Sequence, residues 1–492
     1  MEDLKEKTIR GGFARVLAQA ANFTLRIGSL MILARLLGPR DFGLVGMVTA
    51  FTGVLNLFRD FGLSTATVQR ATVTDEQVST LFWLNIGVGA ALSVATAALA
   101  PVIVGFYHEP RLYWVTVLIA CSFVFNAAGV QHSAMLQRQM RFTTLSVINV
   151  TAILASTLIA IALAMAGFGY WALAAMVVAN PVVMTLGAWL AGPWLPGLPQ
   201  RKIGLQSMVH FGGTVTLNGI VVYIAYNLEK VLLGKFWGAD AIGLYGRAYQ
   251  LVNVPTDNLN SAVGEVAFSA LSRVQDDPQK LKSYFLKGYS LVLALTVPIT
   301  LVSTIYAKDV IFVLLGAKWQ EAVPIFRYLA PTILMFAMIN PFSWLLFAIG
   351  KVNRSLKIAF VIAPLVIAGY LVGLPYGPKG VALGYSAAMA LWLLPHIAWC
   401  VRGTAISFWD VIRTVSIPLL SGVVASACSL ASLAVSGRLP TSLLRLAAGG
   451  TIFVVAYYVM LLFVMGQRQV YADLIRGLIP RRSVQDKSLS TI

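Results

Sequence analysis

Residues Phe13–Leu37 read FARVLAQAANFTLRIGSLMILARLL. At about 1.5 Å per residue, a helix of this length crosses the roughly 30 Å hydrocarbon core of a bilayer. Yet Arg15, Gln19, Asn22, Arg26 and Ser29 fall inside the apolar run. At about 100° per residue, these five return to one face. An arginine at the bilayer centre costs roughly 3 kcal/mol on insertion scales. The face carrying Arg26 must therefore look into a polar cavity. A cavity lined with arginine points to an anionic cargo.

The remainder of the chain repeats the membrane pattern. Of 492 residues, 58% are hydrophobic and 11% charged. A soluble protein this apolar has too few polar residues to cover its surface. Apolar runs of about 20 residues recur to near the C-terminus, which predicts an all-α polytopic membrane protein. The runs are continuous rather than alternating, which argues against a β-barrel. Fourteen spans are predicted, at about 13–37, 42–63, 80–106, 112–134, 142–166, 169–191, 208–236, 241–271, 284–306, 322–349, 355–375, 379–401, 411–436 and 443–465. The charged start MEDLKEKTIRGG leads into a first span too long for a signal h-region, so no removed signal peptide is expected. Cys121, Cys400 and Cys428 lie in predicted spans. That argues against a disulfide framework or a metal site.

The formal net charge is +18. Nucleic acid is not the expected partner, because the chain has no basic soluble domain or basic–aromatic module. The charge flanks the spans instead. An even number of spans puts both termini on one side. Loops on the side of Lys5, Lys7, Arg10, Arg138, Arg141, Arg201, Lys202, Arg273 and Lys280 hold more than twice the Lys and Arg of the other side, where Arg35, Arg40, Arg111, Lys235 and Lys318 lie. The positive-inside rule then makes both termini cytoplasmic.

An internal repeat sets the domain organisation. Ala34–Met47, ARLLGPRDFGLVGM, is similar to Gly234–Arg247, GKFWGADAIGLYGR. At an offset of 200, Gly38, Gly43, Leu44 and Gly46 match Gly238, Gly243, Leu244 and Gly246, and Arg35 matches Lys235. Further on the offset becomes 210: Arg141 aligns with Lys351, and Ala172 and Leu173 with Ala382 and Leu383. The expected architecture is two six-helix lobes, 1–200 and 201–405, then two additional helices in 406–466 and a cytoplasmic tail, 467–492. An even helix count per half makes the repeats parallel, related by a pseudo-twofold axis along the membrane normal. Two lobes with a cleft between them suit an alternating-access transporter.

The leading helices of both halves carry polar stripes. In span 2 Thr49, Thr52, Asn56 and Asp60 share a face, with Arg59 beside them. Span 7 carries His210, Thr214, Asn218 and Glu229 within about 100° of arc. Span 8 carries Tyr245, Tyr249, Asn253, Asp257 and Asn260 around Pro255. Asn, Thr and Ser also serve simply to join helices. Arg15, Arg35 and Arg59 lie near span ends, where snorkelling to headgroups is an alternative. Arg26 is too deep for that. Asp257 and Glu265 are candidates for a coupling cation or proton, or for neutralising Arg26, Lys230 or Arg247. Pro255, within LVNVPTDNLNSAVGE, makes span 8 the candidate broken helix and hinge, with a static kink as the alternative.

Catalytic constellations are weak. The paired acids of RVQDDPQK (Arg273–Lys280) have no nucleotide-binding domain beside them and read as a helix-capping turn. His108, His132, His210 and His396 are scattered, and no Walker-type loop is present, so ATP hydrolysis by the chain itself is not expected.

The runs LKEKTIRGG, ILARLLGPRDFGLVGM, FRDFGLSTATVQR, LQRQMRF, KVLLGKFWGADAIGLYGRAYQL, FSALSRVQDDPQKL and VLLGAKWQEAVPIFRYLA resemble the polysaccharide transporter family. These are Wzx-type flippases of the multidrug/oligosaccharidyl-lipid/polysaccharide superfamily, close to colanic-acid and exopolysaccharide exporters. The resemblance covers about residues 1–410. It implies two six-helix bundles plus two helices, no enzymatic activity and an inner-membrane location. It implies movement of an undecaprenyl-diphosphate-linked oligosaccharide to the periplasmic leaflet for exopolysaccharide or lipopolysaccharide synthesis. Under the resemblance, Arg26 meets the diphosphate, with Arg15 or Arg59 near the entrance. Asn22, Asn56, Asn218, Tyr223, Tyr226, Tyr249 and Asn253 serve the sugars. Related families use Na+ or H+ gradients, for which Glu229, Asp257, Glu265 and Asp60 are the candidate residues. No cofactor is implied. The implied partners are membrane lipids, a polysaccharide polymerase and export machinery, around a monomeric transporter.

Three rivals remain at this stage. A drug/cation antiporter on the same fold calls for an acidic cavity, against which Arg26 argues. A lipid II flippase shares the cavity chemistry. A membrane glycosyltransferase or polymerase needs a large catalytic loop.

Overall fold

The computed structural model describes residues 2–59, 64, 67, 73–192, 194–199, 206–436, 439–469 and 471. Of 2–18, 206–222, 224–225, 259, 261–262, 265–266, 352, 356 and 433–436 it describes the backbone alone. Among the described residues the regular structure is entirely helical.

Fourteen long helices follow in chain order. They are α1 (Glu2–Leu36), α2 (Pro39–Asn56), α3 (Asp75–Tyr107), α4 (Leu112–Arg138), α5 (Phe142–Met165), α6 (Tyr170–Ala191), α7 (206–237), α8 (239–273), α9 (Pro278–Ile305), α10 (Ala322–Ala348), α11 (Val352–Gly373), α12 (Gly377–Val401), α13 (Phe408–Ser436) and α14 (Ser442–Val464). Among the described residues, nine stretches are long and apolar enough to cross a membrane by length and composition, one of them running through both α11 and α12. Helices α1, α2, α7 and α8 are not among the nine. They are the leading pairs of the two sequence halves, on which the polar stripes fall.

Helix starts follow local chemistry. Gly38 caps α2 with Pro39 at the first helical position, and the Asp41 carboxylate accepts from the Gly38 N–H at 3.0 Å. Thr74 and Gln77 form a reciprocal capping box at α3. Asp277 accepts from the Lys280 N–H at 3.0 Å and caps α9, with Pro278 at the first position. The acids of RVQDDPQK thus include the cap expected there. α1 starts at Glu2, well before the expected span.

The interruption between α7 and α8 lies at Gly238, with φ 80° and ψ −171°. A side chain is strained at that φ, which is why glycine holds the turn. The backbone stays helical across Pro255, the residue expected as a hinge. Proline removes one N–H and crowds the preceding turn. The Thr256 hydroxyl donates to Val252 O at 3.3 Å and the Asn258 amide to Val254 O at 2.6 Å. The carbonyl that Pro255 leaves without its N–H donor is Leu251 O, four residues back, and the helix continues past it.

The chain divides into two compact units. The first comprises Met1–Ala248, Ile311–Ile325 and Ala363–Tyr385; the second comprises Tyr249–Val310, Phe326–Ile362 and Ser386–Ile492. In the first, α4 packs on α3 and α6, and α1 on α5. Gly129 receives Thr185, whose hydroxyl donates to Phe125 O at 2.6 Å. In the second, α13 and α14 pack against α9 through Val297, Ala425, Phe453 and Tyr457. Arg445 of α14 is ion-paired with Asp309 at 2.9 Å. The offset-210 match acquires a physical meaning. Arg141, before α5, donates to Ala191 O at 2.8 Å, at the end of α6. Lys351, before α11, donates to Gly403 O at 2.6 Å, just past the end of α12. Each cation satisfies a carbonyl at the C-terminal end of the second helix after it, where positive charge is favoured.

Candidate functional site

Within the first unit, α1 carries the decisive side chain. Arg26 is exposed and makes no hydrogen bond or ion pair among the described residues. Gln19 and Phe23, seven and three residues before it, lie on the same helical face and are also exposed. Leu30, Leu33, Ala34 and Leu37, four to eleven residues after Arg26, continue that face and are buried. One face is thus open along the first half of the run from Gln19 and sealed along the second. Ser29 departs from the expected stripe. It is buried and accepts from the Thr157 hydroxyl of α5 at 3.2 Å, so it joins helices instead.

α2 shows the same gradient. Phe42, Leu44, Val45, Met47 and Val48 are buried, whereas Asn56 at the far end is exposed, its amide donating to Thr52 O at 3.2 Å. Arg59 is half-buried and donates to Asn126 Oδ1 of α4 at 3.3 Å. This bond ties Arg59 to the helix bundle. Asn22 is half-buried, and its Oδ1 has no hydrogen-bond partner among the described residues.

α7 brings a second polar set into the same unit. The Tyr223 hydroxyl donates to Thr49 O at 3.3 Å, and it reaches α2 because Gly53 has no side chain there. Tyr226 is half-buried. Lys230 donates to Asn227 Oδ1 at 2.6 Å, and Asn227 in turn donates to Tyr223 O at 3.0 Å. Glu229 is 1% exposed, and neither carboxylate oxygen has a partner among the described residues. An unpartnered carboxylate at such a site is costly unless protonated or cation-bound. The Asn227–Lys230 pair was not singled out from sequence, although its i,i+3 spacing on a helix was the available signal.

The second unit holds the remaining described candidates. Tyr249 and Asn253 are half-buried, Pro255 lies inside helix, and Asp257 is exposed. Neither Tyr249 nor Asp257 is without a partner. Asp60 lies outside the described residues, as do the side chains of Arg15, Asn218 and Glu265.

In chemical terms, the first unit offers a cation with no hydrogen bond or ion pair among the described residues, amides and phenols for hydrogen bonding, and a buried carboxyl whose oxygens have no hydrogen-bond partner among them. That set suits an anionic, hydroxyl-rich cargo. The lipopolysaccharide biosynthesis protein WzxC of Escherichia coli K12 is 28% identical over 78% of both chains. The succinoglycan biosynthesis transport protein ExoT of Rhizobium meliloti is 23% identical over 91% of both. Among solved structures, the lipid II flippase MurJ in an inward closed conformation superposes with a TM-score of 0.74 at 13% identity. The match covers 95% of this chain and 100% of that one, so the chain has the fold of that flippase. A family model described as polysaccharide biosynthesis protein matches residues 32–324, more than half of the sequence. The chain therefore belongs to the polysaccharide biosynthesis protein family, as a multi-pass membrane protein whose relatives include a succinoglycan biosynthesis transport protein.

Proposed function

We propose that the chain flips an undecaprenyl-diphosphate-linked oligosaccharide repeat unit across a bacterial inner membrane by alternating access. Both termini are cytoplasmic in this reading, which the Lys and Arg asymmetry of the loops supports. Residues 1–200 and 201–405 act as two lobes, with 406–466 as appended helices and 467–492 as a cytoplasmic tail. The delivered product is substrate for a polysaccharide polymerase.

The observation that carries this reading is Arg26, exposed within the apolar run of α1 and with no counter-ion among the described residues. A diphosphate supplies the missing anion, and the pairing offsets the cost of holding an arginine at that depth. Asn22, Asn56, Tyr223 and Tyr226 provide hydrogen-bonding and ring surfaces for sugars. Glu229 takes the coupling proton or Na+, because a buried carboxylate with no hydrogen-bond partner among the described residues is relieved of its burial cost when a cation neutralises it. The carrier lipid's tail needs no protein polar group and stays in the bilayer. A drug/cation antiporter is disfavoured by the same arginine.

Ligand preference tests this assignment. The purified protein should be stabilised against heat by undecaprenyl-diphosphate-linked sugar and, more weakly, by undecaprenyl monophosphate. A cationic drug of similar size should have no effect. Stabilisation by the drug and not by the diphosphate lipid would reverse the assignment to the antiporter class.

A further inference from the structure

The two turns related by 200 residues meet each other, and they meet reciprocally. A Cβ on Gly43 would lie 1.8 Å from the carbonyl oxygen of Ala239. A Cβ on Gly243 would lie 1.9 Å from the carbonyl oxygen of Pro39. Gly43 and Gly243 occupy the same repeat position, and so do Pro39 and Ala239. Each glycine therefore receives the backbone of the other copy's turn. The contacts exchange with one another when the copies are exchanged, as at an isologous twofold interface.

The flanking basic residues obey the same exchange. Arg35, at the end of α1, donates to Val313 O at 3.0 Å, within the short helix Ala307–Leu314. Its repeat counterpart Lys235, at the end of α7, donates to Phe106 O at 2.6 Å, in Ala100–Tyr107, the final eight-residue segment of α3. Each cation thus meets a carbonyl in the last turn of an eight-residue helical segment from the other half, where positive charge is favoured. All these residues belong to the first compact unit.

The position of this contact along α1 gives it a consequence. It lies beyond Leu30, Leu33, Ala34 and Leu37, where the face shared with Arg26 is sealed. Trp319 reinforces the seal by donating from its indole to Ala34 O at 2.8 Å. We infer that the reciprocal Gly43–Ala239 and Gly243–Pro39 contact is the outer gate of the pathway, a seat built from two copies of one turn that must part for cargo to leave. This rests on the alternating-access reading. The chemistry suits repeated opening. Backbone against backbone at glycine gives close approach without interlocked side chains. Arg35 and Lys235 hold carbonyls at helix ends, which water satisfies equally once the turns separate.

Two experiments test the gate. Gly43→Leu and Gly243→Leu each put a large side chain where no Cβ fits, so both should favour the parted state. In a background with Cys121, Cys400 and Cys428 replaced by alanine, a single reporter cysteine, Met47→Cys, replaces a side chain only 2% exposed. In either leucine variant, it should react roughly tenfold faster with a membrane-impermeant maleimide added outside. Gly105→Leu, where a Cβ would have no atom within 4 Å, should leave the reporter protected. Unchanged protection in either seat variant overturns the inference. The second experiment needs no bulky residue. A Cβ on residue 46 would sit 2.8 Å from Ile242 Cγ2, which brings Gly46→Cys and Ile242→Cys within disulfide reach. Oxidation should cross-link the pair and stop export, and reductant should restore it. Failure to cross-link, or full export with the disulfide formed, also overturns it. Failure of the transport reading would look different: labelling and cross-linking would change as expected, while no variant, parent included, moved a lipid-linked sugar.

Discussion

Replacing Arg26 by alanine is expected to abolish polysaccharide export while leaving the protein in the membrane at its normal level. Truncating one partner of a desolvated, hydrogen-bonded charge pair costs about 2–5 kcal/mol. At about 1.4 kcal/mol per tenfold, cargo binding weakens by roughly thirtyfold to several thousandfold. Stability should barely move, by about 0.5 kcal/mol or less, because Arg26 has no hydrogen bond or ion pair among the described residues for the substitution to orphan. Arg26→Glu should be at least as severe, since it sets like charge against the diphosphate. Arg26→Lys should recover part of the activity, because it restores the charge but not the two-pronged donor geometry. Complementation of an export-deficient strain, with membrane levels followed by immunoblot, reads all three. Export near the parent level by Arg26→Ala would remove the arginine from the pathway.

Glu229→Gln is expected to separate coupling from folding. The parent carboxyl is 1% exposed and unpartnered among the described residues. The isosteric amide carries no charge and takes up no cation. Burying it costs less than burying a carboxylate, so thermal stability should be unchanged or raised. Gradient-driven export should fall by about two orders of magnitude if the ionised state is required for the return step. Glu229→Asp, which retains the titrating group, should keep a measurable fraction. Export measured with and without an imposed proton or Na+ gradient distinguishes the cases. A Glu229→Gln protein that still accelerates under the gradient would exclude this carboxyl as the coupling group.

The helix plan was open to reading because apolar runs of bilayer length have few alternatives in water or lipid. Gly38 with Pro39, and Asp277 with Pro278, mark helix starts that local chemistry dictates. Two features were not legible. Helical periodicity places Arg26, Leu30 and Leu33 on one face, but it does not say that packing covers that face beyond Arg26 and leaves it open before. Nor does a proline in a helix tell whether the chain breaks there. The backbone stays helical across Pro255, and the break falls at Gly238, where positive φ needs glycine. The matched glycines at offset 200 were legible as a repeat. Their mutual contact was not, because sequence similarity between two copies carries no information about whether they touch. Arg26 was the strongest sequence signal, and the described residues give it no competing partner. Glu229 is visible in the sequence as an acid, but the sequence does not say that its oxygens lack a hydrogen bond while Lys230 donates to Asn227.

The central claim is the movement of a diphosphate-linked sugar through a path that includes Arg26. Its most direct test is flipping in liposomes. Purified protein is reconstituted with a fluorescent undecaprenyl-diphosphate oligosaccharide, and an external quencher or glycosidase reports the leaflet. Parent protein should expose the internal pool within minutes, the Arg26→Ala protein should leave it protected as in protein-free vesicles, and an analogue with no phosphate should not move. Equal flipping by parent and Arg26→Ala, or equal movement of the phosphate-free analogue, would contradict the claim.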